Sequence, residues 1–319
     1  MEQAVAWIHA ALEHQGLRAT GPIVQPHEFP WSTVLRVPTA AGDMYFKAPA
    51  PNLRYEAALT RALTQYKPDR VLPLLAVDAE RGWMLMPDGG TRLREVVRAS
   101  RDTAAWLAVL PRYAELQMSL AEHVDELLGF GVPDRRLATL PEQYARLLED
   151  HEVMRIDREP GLSAAQYRRL RELAPRIEEL CAELASHGLM ETLNHGDLHD
   201  GNIFVGDDGP RFFDWGDGTV SHPFYSLRTT FVSVEISLDL EEGAGELPQL
   251  RDAYLEPWTR FHSREHLVAV FGLARRLAPL HGALGWYGDV VHMDATWRER
   301  YAAPVPLLLQ ELLEYMAED

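Results

Sequence analysis

The stretch Asn194-His-Gly-Asp-Leu-His-Asp-Gly-Asn-Ile-Phe-Val205 and the nearby Phe213-Asp-Trp-Gly-Asp217 carry the strongest structural signal in this chain. Ile203–Val205 and Arg211–Phe213 are short runs rich in aromatic and β-branched residues, which favour strands. The turn residues between them are centred on Asp207–Asp208 and flanked by glycines, which predicts a tight β-hairpin. The two short runs are therefore expected to pair with each other.

The predicted hairpin brings two potential metal ligands together. With the turn centred as above, Ile203 faces Phe212, and Asn202 lies close to Asp214. Cross-strand neighbours lie about 5 Å apart, so one Mg²⁺ could contact both side-chain oxygens, which a hard cation prefers. Asp197 precedes the hairpin in a predicted loop, where a catalytic group can reach a substrate.

The spacing of these residues is typical of phosphoryl transfer. Asp197 and Asn202 match the pattern H-x-D-x-x-x-x-N of a phosphoryl-transfer catalytic loop. Asp214-Trp215-Gly216 matches the Asp-Phe-Gly metal element of the same template, with one aromatic residue exchanged for another. A base, a metal-binding amide and a metal-binding carboxylate are the groups needed to move a γ-phosphate onto a hydroxyl. The motif therefore predicts a kinase.

A lysine and a glutamate ahead of this motif complete the nucleotide side of the predicted site. Met44–Ala48 is an apolar run that carries Lys47, and Thr33–Val37 makes its partner strand. Asn52–Tyr66 has helical character and places Glu56 near its start. Lone lysines and glutamates are usually solvated. Their order ahead of the catalytic loop nevertheless predicts an ion pair that holds the lysine against the α- and β-phosphates.

A hinge between two lobes is predicted near the end of the strand-rich part. Trp83-Met-Leu-Met86 is predicted to form a strand, and the segment from Pro87 through Asp88-Gly-Gly90 would connect the lobes. An adenine base would take hydrogen bonds from backbone groups at this hinge. Pro87 has no N–H, so the donor is expected to be Met86 or Leu85.

No G-x-G-x-x-G loop precedes the lysine strand. The corresponding turn is Glu28-Phe-Pro-Trp-Ser-Thr33, where Ser32 and Thr33 are expected to offer hydroxyl and backbone donors to a phosphate. No Ala-Pro-Glu sequence and no long activation segment follow Asp214. These differences argue against a protein kinase with a phosphorylated loop.

The sequence resembles the aminoglycoside phosphotransferase and choline kinase superfamily, whose members carry a His-Gly-Asp-Leu-His-x-x-Asn-type loop and an Asp-Trp element. The resemblance extends from about Val34 to Leu227 and is most specific over His195–Asp217. It implies an α+β, bilobal protein-kinase-like fold with an antiparallel-sheet N-lobe and a mainly helical C-lobe. It also implies phosphorylation of a small-molecule hydroxyl with ATP or GTP and Mg²⁺.

The resemblance assigns roles to individual residues of this chain. Asp197 would be the catalytic base, Asn202 and Asp214 the magnesium ligands, and Lys47 with Glu56 the phosphate clamp. One departure stands out, because many relatives open the helix after the Asp-Trp element with an Asp-Leu or Asp-Ile pair. This chain has Ser-Leu at positions 226–227. The missing aspartate is expected to be structural, so its absence bears on the subfamily more than on the activity.

Composition limits the remaining function classes. The chain has 319 residues, of which 46% are hydrophobic, and a formal net charge of −17 from 48 acidic and 31 basic residues. Nucleic-acid binding requires clustered cations and is disfavoured. The only cysteine, Cys181, excludes an internal disulfide framework. No signal peptide is expected, and no apolar run approaches the roughly 18 residues of a membrane span, which predicts a cytoplasmic protein with no membrane partner.

The predicted division into lobes falls near Gly89. Residues 1–88 would form the nucleotide-binding N-lobe, and residues 89–319 would form a helical C-lobe with the catalytic loop and the substrate site. Among the predicted helices, one opens with a capping box at Ser163-Ala-Ala-Gln166. That helix is expected to bend at Pro175 and to end at Gly188.

Substrate recognition is expected in the C-lobe, because the hairpin fixes only the phosphate side. The candidates are three polar-aromatic clusters and several acids that would attract a cation: His222–Tyr225, Glu256–Trp258, His281–Tyr287, Glu241, Glu242, Glu318 and Asp319. For each of them, packing or a solvated surface is the favoured explanation. The sequence leaves open the acceptor and its hydroxyl, ATP against GTP, and the oligomeric state.

Three alternative functions compete with a small-molecule kinase. A two-metal phosphatase would need further His and Asp ligands, but no Asp-x-His lies upstream and Asn202 is followed by Ile203. A pseudokinase that only binds nucleotide would have no chemical need for Asp197. A kinase acting on protein is disfavoured by the short segment after Asp214.

Overall fold

Alternating apolar and polar side chains along the amino-terminal segments produce an antiparallel sheet. The computed structural model describes residues 1–26, 28–241 and 244–317. Its first strands are β1 Glu28–Phe29, β2 Ser32–Thr39, β3 Gly42–Pro49, β4 Ala76–Asp78 and β5 Trp83–Pro87. In the described part of the chain they form a five-stranded sheet in the order β1-β2-β3-β5-β4. The predicted strand pair around Lys47 and the predicted strand Trp83–Met86 are both present.

The two faces of this sheet have different roles. One face packs against α1, Glu2–His14, in a core formed by Ile8, Leu12, Leu35, Val37, Met44, Phe46 and Leu85. Side chains at the alternate positions, such as Val34, Lys47 and Met84, point into the cleft between the lobes. The helix α1 is absent from the sequence-based expectations. Helix α2, Tyr55–Tyr66, follows β3 and sends Leu59 and Leu63 into the core of the C-lobe.

The chain crosses to the second lobe over residues 88–92 and is mainly helical from there on. The helices are α3 Leu93–Ser100, α4 Ala104–Leu120, α5 Val124–Gly129, α6 Leu140–Glu149, α7 His151–Met154, α8 Ala164–Glu172, α9 Ala174–Ser186, α10 Ser226–Leu238, α11 Glu246–Leu255, α12 Arg264–Val290, α13 Ala295–Arg300 and α14 Pro304–Tyr315. An antiparallel-sheet N-lobe followed by a helical C-lobe is the predicted α+β, bilobal protein-kinase-like fold, which is thereby confirmed.

Two small sheets of the C-lobe hold the predicted motif. β6 Asp134–Arg135, β7 Thr192–Asn194 and β10 Thr219–Ser221 form a sheet in the order β6-β10-β7. β8 Ile203–Gly206 and β9 Gly209–Phe212 form the predicted hairpin. The catalytic loop therefore leaves one sheet at Asn194 and enters the other at Ile203, so both of its ends are fixed by strand pairing.

The capping box at Ser163 is present, since its hydroxyl accepts from the Gln166 backbone N–H and the Gln166 side chain accepts from the Ser163 N–H. The predicted bent helix is instead two helices, α8 and α9, that meet at Leu173. Pro175 lies in the first turn of α9. A proline there loses no intrahelical hydrogen bond, because the first N–H groups of a helix have no partner in it.

α12 is the long central helix of the C-lobe. By length and composition alone it could cross a membrane, with a mean hydropathy of 1.3 in its most apolar window, which is 61% buried inside the protein. Arg275 and Arg276 interrupt its apolar residues, which is why no long apolar run is visible in the sequence. Leu277, Leu280 and Leu284 are buried in the main core, so α12 is a core helix of this fold.

Candidate active site

The hairpin places the two expected metal ligands side by side. Ile203 pairs with Phe212, as predicted, and the backbone N–H of Phe213 donates to the carbonyl oxygen of Asn202 at 3.2 Å. Asp214 follows immediately in the left-handed backbone region, with φ +67°. The side chains of Asn202 and Asp214 both reach the same cleft between the lobes.

Asn202 also holds the expected catalytic base. Its side-chain Nδ2 donates to the Asp197 carbonyl oxygen at 3.0 Å and to Asp197 Oδ2 at 3.1 Å. His199 Nε2 lies 3.3 Å from the same Oδ2. Because Nδ2 is used in this way, the other side-chain atom of Asn202, Oδ1, is the one available to a cation.

Lys47 connects the two lobes across the cleft. Its Nζ lies 2.6 Å from Glu56 Oε1 and also forms an ion pair with Asp214 Oδ1. Burial would lower the pKa of Lys47, but Asp214 and Glu56 outweigh burial and raise it. Burial would raise the pKa of Asp214, yet the attraction of Lys47 brings it below its usual value. The sequence prediction that Lys47 and Glu56 meet is thus observed, with Asp214 as a third member.

A neutral histidine, His195, connects the start of the catalytic loop to the Asp-Trp element. His195 Nε2 lies 2.9 Å from the carbonyl oxygen of Phe213, and its ring packs against Trp215 with ring centroids 4.5 Å apart. Burial lowers the pKa of His195. Gly196 follows with φ +77°, and a Cβ there would lie 2.0 Å from the Asp217 carbonyl oxygen. Glycine is therefore required where the catalytic loop crosses the Asp-Trp element.

Tyr113 and Ser226 anchor the start of the catalytic loop. The backbone N–H of His195 donates to the Tyr113 hydroxyl at 2.9 Å, and that hydroxyl lies 2.7 Å from Ser226 Oγ. Ser226 Oγ in turn donates to Asn194 Oδ1 at 2.8 Å. Ser226 is the residue that departs from the Asp-Leu pattern of the resembled superfamily. Tyr113, on α4, carries no local sequence signal because its partners are far away in the chain.

Asp200 anchors the middle of the same loop and was not among the predicted site residues. It is fully buried, and its carboxylate accepts from Arg94 Nε at 2.7 Å and from Ser237 Oγ at 2.5 Å. Its backbone N–H donates to Ser233 Oγ at 3.2 Å. A buried carboxylate with these partners is a structural anchor, which the motif spacing alone does not distinguish from a catalytic acid.

A cavity of about 490 Å³ lies between the N-lobe sheet and the hairpin, and is called here the nucleotide cleft. Among the predicted residues it is lined by Ser32, Lys47, Glu56, Met86, Asn202 and Asp214. Thr33 and Leu85 do not line it. Thr33 pairs with Glu28 in the β1–β2 hairpin. Leu85 is fully buried on the opposite face of the sheet, and its carbonyl oxygen accepts from Leu75 N–H at 2.7 Å.

The hinge offers a different backbone donor from the two expected. Met86 pairs with Tyr45, and Asp88 N–H donates to the Asp43 carbonyl at 3.0 Å. The alternation of an antiparallel ladder then directs the Met86 N–H to β3 as well. Gly89 N–H, in contrast, has no hydrogen bond to any described residue. The expected backbone donor to an adenine base is therefore Gly89 instead of Leu85 or Met86. Gly89 also packs closely against the hairpin, since a Cβ at this position would lie 2.1 Å from the Phe204 ring.

A second cavity of about 290 Å³, called here the acceptor cavity, lies on the other side of Lys47 and Asp214. These two residues line both cavities, whereas Asn202 lines only the nucleotide cleft and Asp197 only the acceptor cavity. The expected metal ligand Asn202 and the expected base Asp197 therefore line different cavities, and the second expected ligand, Asp214, lies between the two cavities. This is the geometry that transfer of a group from one bound molecule to another requires.

The acceptor cavity contains further ionisable groups that sequence reasoning missed. Burial, with Asp197 and Asp289 nearby, raises the pKa of Asp217 well above its usual value. Burial also raises the pKa of Asp289, to about 6, against the opposing attraction of Arg135. Arg135 is itself buried and donates to the Leu284 carbonyl oxygen at 2.9 Å. Trp31 and Trp286 are the aromatic residues in the wall.

The three predicted recognition clusters have different locations. His222–Tyr225 is buried, and burial lowers the pKa of His222 to about 3. Within Glu256–Trp258, the indole of Trp258 lies in the core. Only His281–Tyr287 contributes to the acceptor cavity, through His281 and Trp286. Glu241 is exposed and lines neither cavity, while Glu242, Glu318 and Asp319 lie outside the described residues.

Comparisons with known proteins agree with this geometry. A model of the phosphotransferase enzyme family matches residues 26–266. A choline/ethanolamine kinase family protein from Mesorhizobium loti is 18% identical, with 98% of each chain covered and a TM-score of 0.59. A macrolide 2'-phosphotransferase from Brachybacterium faecium is 18% identical over 94% of this chain and 97% of that chain, with a TM-score of 0.57.

A choline kinase from Streptococcus pneumoniae is 11% identical over 99% of both chains, with a TM-score of 0.60. No curated protein is a significant match to the sequence. These solved structures share the fold of a small-molecule kinase with this chain. Since the family model covers most of the sequence, the chain belongs to the phosphotransferase enzyme family, and the predicted superfamily is confirmed.

Proposed function

We propose that this phosphotransferase moves the γ-phosphate of ATP or GTP onto a hydroxyl group of a small molecule in the cytoplasm. One observation carries the proposal: Lys47 and Asp214 form the wall between two cavities, with Asn202 on one side and Asp197 on the other. The nucleotide would lie on the Asn202 side. The hydroxyl compound would lie on the Asp197 side, within reach of the γ-phosphate.

The proposed reaction is a direct in-line displacement. The acceptor oxygen forms a bond to the γ-phosphorus, and the bond from that phosphorus to the bridging oxygen breaks, so ADP or GDP leaves with the electron pair. Asp197 orients the acceptor hydroxyl and takes its proton at Oδ1 or Oδ2. Lys47, whose raised pKa keeps it charged, contacts the α- and β-phosphates. Positioning and electrostatics then supply most of the rate acceleration.

The residues present fit a magnesium ion. In the described ranges, no cluster of three or more His, Cys, Asp or Glu side chains is arranged to hold a metal by itself. Mg²⁺ in such enzymes is bound by one or two protein oxygens together with substrate phosphates. The Asp214 carboxylate and Asn202 Oδ1 are oxygen donors of this kind. When bound there, the ion would offset negative charge on the phosphate oxygens.

The size and lining of the acceptor cavity support a small-molecule acceptor over a protein. Its volume of about 290 Å³, between α10, α12 and the Asp-Trp element, matches a small molecule in size and not a folded polypeptide. Asp217 and Asp289 in its wall offer hydrogen-bond acceptors to hydroxyl or amino groups. A hydroxyl compound with a second polar group is therefore the proposed type of acceptor.

The test is nucleotide consumption with Mg²⁺ across a panel of hydroxyl compounds, with ATP and GTP run separately and Asp197→Ala as the control. Acceptor-dependent release of ADP or GDP that the variant abolishes would support the proposal. The protein is also incubated with labelled ATP and cell extract, and the products are separated into protein and small-molecule fractions. The fraction that carries the label distinguishes a protein acceptor from a small-molecule acceptor. Failure of Mg-nucleotide to bind or to raise the Tm would overturn the proposal. Binding without any transfer or hydrolysis would favour a pseudokinase.

A further inference from the structure

A third cavity, of about 520 Å³, lies in the C-lobe between α10, α11, α12 and α14 and is called here the apolar cavity. Most of its wall is apolar and includes Phe231, Leu247, Phe271 and Ala278. The wall also contains charged residues, and among them Arg228 is paired with Glu311 and Arg251 with Asp252: Arg228, Glu235, Arg251, Arg275 and Glu311. None of the candidate catalytic or nucleotide-binding side chains lines it. An apolar cavity of this size with a few polar groups has the character of a small-molecule site.

The apolar cavity adjoins the acceptor cavity along α10. Arg228 and Val232, one helical turn apart, line both cavities. The Arg228 guanidinium forms an ion pair with Glu311 of α14, in which Nε lies 3.0 Å from Oε1. Between them, Thr229 Oγ1 donates to the Gly196 carbonyl oxygen at 3.4 Å. The same helix turn therefore touches the catalytic loop and forms the boundary between the two cavities.

The linings of the two cavities suit the two ends of one amphipathic molecule. The acceptor cavity contains Asp197, Asp217 and Asp289. The apolar cavity has charged residues in its wall as well, but phenylalanine, leucine and other apolar side chains make up most of its lining. The acceptor cavity alone is at the lower end of the range for drug-sized ligands, about 300–1,000 Å³. At the boundary the Val232 side chain is 40% exposed, so apolar surface is available to a ligand that passes from one cavity to the other.

We propose that the acceptor is an alcohol with an uncharged apolar body. Its hydroxyl end lies in the acceptor cavity beside Asp197, and its apolar body lies in the apolar cavity, against Phe231 and Phe271. Burial of the apolar body supplies binding free energy. Arg228, at the boundary between the cavities, is already paired with Glu311, so the ligand needs no charged group to neutralise it. This assignment rests on the proposed phosphotransferase function and names the class of its acceptor.

The test uses pairs of alcohols that share one polar head group and differ only in an attached apolar body. Suitable pairs are glucose with octyl glucoside, and ethanolamine with N-octylethanolamine, each below its micellar concentration. Transfer is measured as kcat/KM for ADP or GDP release. Each compound is also measured as an inhibitor of the intrinsic hydrolysis of Mg-nucleotide, so that a compound that binds without being phosphorylated is still counted.

Two variants obstruct the apolar cavity, and a third serves as the control. Ala278→Phe places a ring inside the cavity, and Val232→Trp obstructs the boundary from an exposed position that tolerates a larger side chain. Ile236→Trp lies one turn further along α10, is 75% exposed and lines neither cavity. Comparing the two members of a pair within one variant corrects for any general loss of activity or folding.

We expect at least one apolar-bodied member to exceed its short partner at least tenfold, in kcat/KM or in inhibition. Ala278→Phe and Val232→Trp should reduce this ratio to near one, while Ile236→Trp preserves it. Nucleotide hydrolysis with no advantage for any apolar-bodied member, or an advantage that survives both obstructing variants, overturns this assignment alone. Absence of both hydrolysis and transfer overturns the proposed function, and this assignment with it.

Discussion

The hydroxyl of Tyr113 lies 2.7 Å from the hydroxyl of Ser226 and also accepts a hydrogen bond from the backbone of the catalytic loop. Both side chains are buried. Together they bind the loop where the resembled superfamily commonly has an aspartate. A neutral pair of hydroxyls holds the loop here without the larger desolvation cost that a buried charge would carry.

Removal of this hydroxyl should affect catalysis as well as stability. Tyr113→Phe leaves the His195 N–H without its acceptor, so the free energy of unfolding should fall by about 1–3 kcal/mol. The loop carrying Asp197 should also shift, lowering kcat about tenfold or more with little change in the nucleotide KM. The control is Tyr144→Phe, which removes a buried hydroxyl bonded to the Leu170 carbonyl at 2.6 Å, away from the site. If both variants lower kcat equally, Tyr113 has no specific positioning role.

Asp197 and Asp214 should have separable roles. Asp197→Asn removes the proton acceptor and should lower kcat by roughly 10²–10⁴, while Mg-nucleotide still raises the Tm. Asp214→Asn removes the carboxylate that faces both Lys47 and the expected cation, so it should weaken Mg-nucleotide binding as well as kcat. Thermal shift and steady-state kinetics at saturating Mg²⁺ measure the difference. Near-normal turnover of the Asp214 variant would contradict its assignment as a metal ligand.

Lysine labelling can locate the nucleotide directly. The chain has only two lysines, Lys47 and Lys67, and Lys47 alone lines the nucleotide cleft. An acyl-phosphate derivative of ATP should acylate Lys47, and excess ATP or GTP should suppress that labelling. Labelling of Lys67, read by peptide mass spectrometry in the same sample, should be unaffected by nucleotide. Equal protection of both lysines, or of neither, would contradict the placement of the phosphates.

Asp289 should make stability depend on pH. Its pKa is about 6 in the folded protein and about 4 when unfolded. Between these values the unfolded chain has already lost the proton that the folded chain keeps, so this group lowers stability as pH rises from 4 to 6. Asp289→Asn should therefore be the more stable protein at pH 7.5, by at most about 3 kcal/mol.

The advantage of Asp289→Asn should vanish below about pH 4, where both states of the native protein are protonated. Urea unfolding of both proteins at pH 4, 6 and 7.5 measures this trend. Asp69→Asn, an exposed aspartate, is the control and should show no such trend. A stability difference that is the same at every pH would contradict the assigned pKa.

Gly89 should be irreplaceable in the nucleotide cleft. A Cβ at this position would lie 2.1 Å from the Phe204 ring, so Gly89→Ala must displace either the hinge or the hairpin. We expect the KM for nucleotide to rise about tenfold or more, because the expected backbone donor moves with the hinge. Gly90→Ala is a weaker perturbation for comparison, since no atom lies within 4 Å of its added Cβ, although its φ of +87° adds strain. Equal effects of both variants would count against a specific role for Gly89.

The predictions from sequence were most accurate where the relevant contacts are local. The hairpin register, the turn at Asp207–Asp208 and the adjacency of Asn202 and Asp214 follow from strand pairing over a few residues. For the hinge donor, the only local information is the exclusion of Pro87, which points to Leu85 or Met86. The register of β3 against β5, which commits Met86 to the sheet, depends on a pairing across distant segments.

The sequence by itself determined the α+β class, the hairpin that brings Asn202 close to Asp214, and the phosphotransferase function, because these depend on residue types at short spacings. Only the tertiary structure decided that Asp197 and Asn202 face different cavities and that Tyr113 anchors the loop. It also brought Arg135, Asp217 and Asp289 together. The reason is physical: such contacts join segments that are far apart in the chain, and packing of the whole core selects them, so no local pattern encodes them.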